Sequence, residues 1–386
     1  MKNILLYDLS NDGHHYVYNS TVMNQIKNQY DRACYYTATD DEKIIEGLQE
    51  NKIEVLNIKI KRKPNRYLSV GRRTILLLRM LMFARIRGFK RVHLFHLDSN
   101  IVSLIFLAPL LLGIQLTGTL HWSPTRKWKR RFLLLLLKSS LVNKMVVHGD
   151  YTQRKFIELL GTGDENKIVN IHFPNFPASV RRDEVGLKHI EARLAGYVRP
   201  YLLCFGGLRH DKGIDFLLGA MSSLRDREFT LIVAGSEGDF KEEDIRRLSG
   251  KYGIRDKLFA DLRFIPDDAM EYYFDLCDAV VLPYRKLFSG QSGPLTEGAA
   301  RNKYILGPGH GEIGHTIRTY ELGETFESEN EQDLTDKLAI TIEKVNSVRK
   351  GRSVEPRPAT ENANAYAPLI NIDRFVKRYA QFFSGG

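Results

Sequence analysis

Short apolar runs alternate with longer segments of helical spacing along almost the whole chain. In the first half, runs at 4–9, 32–37, 53–58, 91–96, 115–121 and 144–148 read as strands. Segments at 16–30, 41–51, 70–87, 99–112, 127–141 and 151–160 read as helices. The runs are dense in Leu, Ile, Val and Tyr, the pattern of strands buried on both faces. A helix between successive strands carries the chain back across the sheet, so the strands must pair in parallel. The second half repeats the alternation, with strands at 201–205, 230–234, 261–265, 279–282 and 303–307 and short segments around 316–317 and 324–326.

Prolines near 175–177, the charged stretch 181–193 and Arg199-Pro200 break the pattern in the middle. At 386 residues the chain exceeds one ordinary core. The expectation is therefore two doubly wound α/β domains in tandem: 1–177, a connection over 178–199, and 200–368. A polar, proline-bearing stretch (351–368) follows the helical 339–345. An amphipathic helix at 372–383 then ends the chain, and residues 369–386 are expected to pack back on the first domain.

The apolar fraction of 43% and charged fraction of 27% are those of a soluble globular protein. Met1 and Lys2 lead straight into the first apolar run, so no signal peptide is expected. Cys34, Cys204 and Cys277 are far apart and set among apolar residues, which excludes a disulfide framework and fits a reducing cytosol. Residues 99–125 hold no charge, but their apolar part, 101–116, falls short of the roughly 20 residues of a span. Pro109, Gly113 and Gln115 interrupt it, so no span is expected.

Charge is unevenly spread. Residues 51–150 carry 20 Lys and Arg against 3 Asp and Glu, a balance of +17 in a chain whose total is +11. The cations interleave with leucine-rich helical stretches at 72–87 and 126–138 rather than with exposed aromatics. That favours an anionic membrane surface over nucleic acid, with a solvated face as the plain alternative.

Two constellations carry chemistry. After the run 201–205 comes FGGLRHDKG (205–213), then an apolar helical segment (214–221). Glycines allow close backbone approach, a helix N-terminus favours anions, and Arg209 and Lys212 supply cations. After the run 279–282 comes Pro283-Tyr284-Arg285, a loop, and SGQSGPLTEGAA (289–300). Pro294 suits the first turn of a helix, and Ser292 or Gly293 its cap. Glu297 follows about one turn in, where a carboxylate suits two vicinal ribose hydroxyls. Cations for phosphate and a carboxylate for ribose make a nucleoside diphosphate site.

Over about 201–338 the chain resembles the donor-binding domain of retaining glycosyltransferases of family 4, which have the GT-B fold of two Rossmann-like domains facing a cleft. The resemblance rests on FGGLRHDKGIDFLLGAM, FTLIVAGSEG, RFIPDDAMEYYFDLCDAVVLPYR, SGQSGPLTEGAA and LGETF in order. It implies that Arg209 and Lys212 hold the donor diphosphate and that Glu297 holds the ribose. It likewise implies the base at the backbone of the loop Phe264, Ile265 and Pro266, phosphate contacts at the amides of Ser292 and Gly293, and Gln291 among the donor-binding residues. Where many members place a second glutamate, eight positions before the first, this chain has Ser289, and Gln-Ser-Gly at 291–293 resembles a subgroup. In the first half, Gly13 in NDGHH resembles the glycine loop facing the donor. His121, at the end of the run 115–121, resembles a histidine beside the donor sugar. His14 and His15 are weaker candidates, and His148 reads as a packing or hinge residue.

The resulting expectation is a retaining glycosyltransferase moving a sugar from a UDP- or GDP-linked donor to a glycan or lipid-linked acceptor in cell-surface polysaccharide synthesis. It would work in the cytoplasm, peripheral on the inner face of the cell membrane, without nucleic acid. No Asp-x-Asp loop or His/Cys/Asp cluster stands in the sequence, so no obligatory metal or other cofactor is expected. Two alternatives stay open: a nucleotide-sugar epimerase on the same fold, or a catalytically silent protein binding lipid or nucleic acid.

Overall fold

The computed structural model describes residues 2–9, 14–39, 42–50, 53–60, 69–176, 184–351 and 361–385. They form two units, Met1–His172 with Asp373–Gly386, and Phe173–Ile372. The first unit is a seven-stranded parallel sheet: β1 (Asn3–Tyr7), β2 (Arg32–Thr37), β3 (Glu54–Asn57), β4 (Arg91–Leu94), β5 (Gln115–Leu120), β6 (Lys144–Val147) and β7 (Ile168–Asn170). Its order is β3-β2-β1-β4-β5-β6-β7. The second unit has β8 (Tyr201–Phe205), β9 (Thr230–Ala234), β10 (Leu258–Asp261), β11 (Ala279–Val281), β12 (Tyr304–Pro308) and β13 (Gly323–Phe326) in the order β10-β9-β8-β11-β12-β13. Both units are the doubly wound α/β domains that the alternation predicts.

The central strands are apolar on both faces because helices cover both. Leu5 and Leu6 of β1 are fully buried, and Leu5 lies opposite Cys34 on one side and Val92 on the other. The helix Val70–Ile86 buries Leu76, Leu77, Met80, Leu81 and Ala84, a stripe at helical spacing. The uncharged stretch resolves into the helix Leu97–Phe106 and a 3-10 turn, Ala108–Leu111, before β5. Among the described residues, no helix is long and apolar enough to cross a membrane.

Three local readings change, and one strand is new. The strand expected at 261–265 is β10 at Leu258–Asp261, because Leu258 to Asp261 pair in register with Leu231 to Ala234. Residues 316–317 belong to the helix Gly311–Thr319, where Ile313 and Ile317, four apart, share the buried face. β7 is a three-residue strand, too short to announce itself. The stretch 178–199, expected as a connection, contains the helix Glu184–Leu194, which buries Ile190 and Leu194 and packs against the helix Asp267–Leu276.

The C-terminal helix Ile372–Ser384 closes the first unit, burying Phe375, Tyr379, Phe382 and Phe383. A buried hydrogen-bonded chain ties it in. His148 Nδ1 meets the Ile171 carbonyl at 2.7 Å and Nε2 meets the Tyr18 hydroxyl at 3.0 Å. Tyr18 joins the Tyr379 hydroxyl, which is 2.9 Å from Thr119 Oγ1. A carbonyl only accepts, so Nδ1 carries the proton and Nε2 accepts from Tyr18. His148 is thus a neutral ring, as is His93, held between Thr117 and Thr119.

Burial pushes the His93 imidazole down to about 3 and that of His148 down to about 4. Unfolded, both take up protons near 6.5. Their stabilisation is therefore complete above about pH 6.5 and is lost as pH falls toward 4, by at most about 1.4 kcal/mol per unit for each ring. The urea midpoint should drop between pH 7.5 and pH 5.0, and drop less in His148→Gln. Equal midpoints in the wild-type protein would contradict neutral burial.

Candidate active site

In the second unit the strand order reverses between β8 and β11. The chain leaves β8 toward β9 and leaves β11 toward β12, so a crevice opens at their carboxyl ends, where ligands of such sheets bind. The loop after β8 is 206–213 and runs into the helix Ile214–Met221; the loop after β11 leads to the helix Gly293–Ala300. Gly206, at φ +108°, has no side chain, and a Cβ there would lie 2.5 Å from Lys212 Nζ. The missing side chain is what admits the ammonium. Gly213 caps its helix in the left-handed region, at φ +65°, and a Cβ there would overlap the Pro283 carbonyl. The two loops are therefore in backbone contact. Arg285 reinforces it, its N–H donating to the Asp211 carbonyl at 3.0 Å and its guanidinium to Asp215 at 2.6 Å.

Lys212 Nζ lies 5.7 Å from the centre of the Tyr284 ring. Burial lowers this lysine to about 8, and the neighbouring Arg209 adds to the effect. Arg209 is not an open cation. Its guanidinium makes a two-pronged pair with Asp211, at 2.8 and 2.6 Å. Tyr284 is the joint of the site: its hydroxyl is 3.3 Å from Ser292 Oγ, so Lys212 and Ser292 share one buried neighbour. Neither Asp211 nor Tyr284 stood out in the sequence, although an Arg-x-Asp spacing in a turn is a signal for local pairing.

Ser292 is the N-cap, accepting from the Leu295 N–H at 3.3 Å, with Gly293 and Pro294 opening the helix. Gln291 directly precedes the cap. Glu297 is buried, and burial raises its pKa against the pull of Arg301. Its Oε2 lies 2.5 Å from Arg301 Nη1, and the same guanidinium reaches Asp275 at 3.1 Å and Glu271 at 3.4 Å. The ribose candidate is thus one of three carboxylates around a single arginine. The Glu297–Arg301 spacing of four on a helix is the signal that could have revealed it.

Phe264 and Ile265 follow β10, two strands from β8. Phe264 is 67% exposed, an unusual placement for a large ring, while Ile265 is buried. Beside them, Asp261 holds Arg263 at 2.9 Å and Arg193 at 3.1 Å.

In the first unit His121 directly follows β5. Its ring stacks on His96 with centres 4.5 Å apart and lies 5.0 Å from both Tyr18 and His148. Burial, with the nearby histidines, holds it well below the usual imidazole range. Gly13 lies outside the described residues.

Removing one partner from a buried ion-pair cluster costs about 3–5 kcal/mol. Arg301→Met should therefore lower the unfolding free energy by about that amount in urea titration, with Arg301→Lys restoring part of it. An unchanged midpoint would mean that Arg301 does not hold the three carboxylates.

Residues 199–344 match the family model "Glycosyl transferases group 1". The whole chain is similar in structure to HepE of Anabaena, solved with UDP and glucose, at 15% identity and a TM-score of 0.70, covering 100% of both chains. Sucrose-phosphate synthase of Thermosynechococcus elongatus gives 13% and 0.70, again over 100% of both. WaaG, a glycosyltransferase involved in lipopolysaccharide biosynthesis, gives 14% and 0.66 over 100% of both. No curated protein sequence matches the chain. At such identities the structural likeness is one of fold, and that fold is GT-B. Residues 199–344 of the second unit are thus similar to the glycosyl transferases group 1, and the protein that carries them is a glycosyltransferase.

Proposed function

We propose that the protein takes a sugar from a nucleoside diphosphate donor and passes it, with retention of configuration, to a glycan or lipid-linked acceptor at an anionic membrane surface. The observation that carries this reading is the Lys212 ammonium, packed on Gly206 beside the Ser292-capped helix and partly stripped of water. Such a lysine gains more from a diphosphate than an exposed one does, because the anion restores what burial removed. HepE, solved with UDP and glucose, supports a uridine donor.

As the glycosidic bond breaks, negative charge collects on the leaving diphosphate and positive charge on the anomeric carbon. Lys212, Arg209 and the amides of the capped helix at 291–293 stabilise the former, with no obligatory metal. Glu297 takes the ribose hydroxyls, and Phe264 and Ile265 the base. No enzyme carboxylate serves as nucleophile in this reading. The leaving phosphate accepts the acceptor's proton on the face from which it departs, which gives retention.

Calorimetry with UDP tests the site. Lys212 is charged below about pH 8 and loses its proton above it. Affinity should hold up to about pH 8 and then fall, by up to about tenfold per unit, while Lys212→Arg should stay flat. Lys212→Ala should cost about 1.5–3 kcal/mol in binding and abolish transfer. Arg209→Ala should cost less, because Arg209 must share itself with Asp211. Unaltered UDP binding and transfer by Lys212→Ala would refute the assignment.

The membrane reading rests on the first unit. The helices Val70–Ile86 and Lys127–Lys138 both pack against Leu97–Phe106. They expose Ile75, Met82, Ile86, Trp128 and Leu135 among Arg72, Arg79, Arg87, Lys127 and Arg131. Each cation near an anionic surface contributes about 1 kcal/mol, screened beyond about 8–10 Å at physiological salt. Flotation should show binding to anionic vesicles that salt reverses, and equal binding to neutral vesicles would refute it.

A further inference from the structure

The first unit has a switch point of its own. Its order turns between β1 and β4, which part toward β2 and β5. Three side chains with metal-binding atoms meet at these carboxyl ends: Asp8, directly after β1, His15, in the first turn of the helix His14–Ile26, and His96, two residues after β4. Their donor atoms all lie within 4.8 Å of one another. We propose that Asp8, His15 and His96 form a binding site for a divalent transition-metal ion of the zinc class, with at least one coordination position left open.

The chemistry of the donor set supports this. Two imidazoles and one carboxylate are the mixed nitrogen and oxygen ligands that zinc accepts, and three protein ligands leave a fourth place for water or a bound hydroxyl. His96 Nε2 and His15 Nδ1 are 2.6 Å apart, two ring nitrogens joined through one proton. A tetrahedral ion with bonds of about 2.0–2.1 Å would hold them about 3.3 Å apart, so small rotations of the two rings admit it. The proton between the rings leaves as the ion enters.

The surroundings are those of a metal site as well. Asp8 is buried, and Asn19 donates to its Oδ2 at 2.8 Å while also reaching the Tyr35 hydroxyl at 3.2 Å. On the far side of His96, Nδ1 faces the buried Asp98 carboxylate at 3.8 Å. Binding through Nε2 leaves Nδ1 to carry its proton toward that carboxylate, the carboxylate–histidine–metal arrangement. The His121 ring stacks on His96 and limits its tilt. No sequence motif announces the set, because 88 positions separate Asp8 from His96.

The test is calorimetric titration of the full chain, stripped with EDTA, with Zn²⁺, together with visible absorption on Co²⁺ addition. One site per chain of micromolar affinity or tighter is expected, with the intense ligand-field bands of a four- or five-coordinate cobalt ion. His15→Gln, on a half-buried side chain near a helix start, and Asp8→Asn should each weaken binding tenfold or more. Asn19→Ala should weaken it by about tenfold. His189→Ala, on an exposed face of the second unit, should leave it unchanged. Circular dichroism identifies any variant that fails to fold, and His15→Gln is then decisive. Absence of a site in the wild-type protein, or full affinity in folded His15→Gln, would overturn the proposal.

Discussion

In a parallel sheet every crossover helix must leave from a carboxyl end, and two neighbouring strands whose crossovers go opposite ways leave that end uncovered. Both units depend on this constraint. Between β8 and β11 it opens the end from which the loops carrying Lys212 and Ser292 leave, and between β1 and β4 the end that carries the buried Asp8 and the largely buried His96. The candidate groups sit in the loops and helix starts that follow these strand ends. The contact of Gly213 with the Pro283 carbonyl then locks two of those ends together.

The electrostatics of the second unit's crevice are more restrained than a count of charges suggests. Arg209 is held by Asp211, Arg285 by Asp215, and Arg301 by three carboxylates. Such pairs orient guanidinium groups without leaving a field of open cations, at the cost of competing with an incoming anion. Lys212 is different in kind. Its ammonium lies against a glycine and an aromatic ring, and burial rather than a partner sets its proton affinity. The site thus combines one poised charge with several pre-aligned ones, an arrangement suited to stabilising charge that appears only as a bond breaks.

In the first unit a buried polar chain runs from the Ile171 carbonyl through His148, Tyr18 and Tyr379 to Thr119. Every group in it has a partner, so burial costs little and direction is fixed. It also joins the last helix of the chain to the sheet, so the final residues are part of the core that supports His121 and His96.

The sequence by itself determined the fold class, because strand and helix periodicities are local properties of a few consecutive residues. β2, β8 and β9 follow their apolar runs residue for residue, and the Ser292 cap with Pro294 was legible from capping chemistry alone. Where tertiary pairing overrides a local pattern, the reading shifted: β10 lies three residues earlier than its run suggests, and 316–317 joined a helix whose buried face they complete. The candidate cations were visible as residue types, but their partners were not. Asp211 tying up Arg209, Arg301 gathering Glu271, Asp275 and Glu297, and Tyr284 bridging Lys212 and Ser292 are facts of side-chain geometry. The Asp8, His15 and His96 set is the extreme case. Only the parallel pairing of β1 with β4 brings those residues together, because contact in space between distant positions depends on strand order, which no local periodicity encodes.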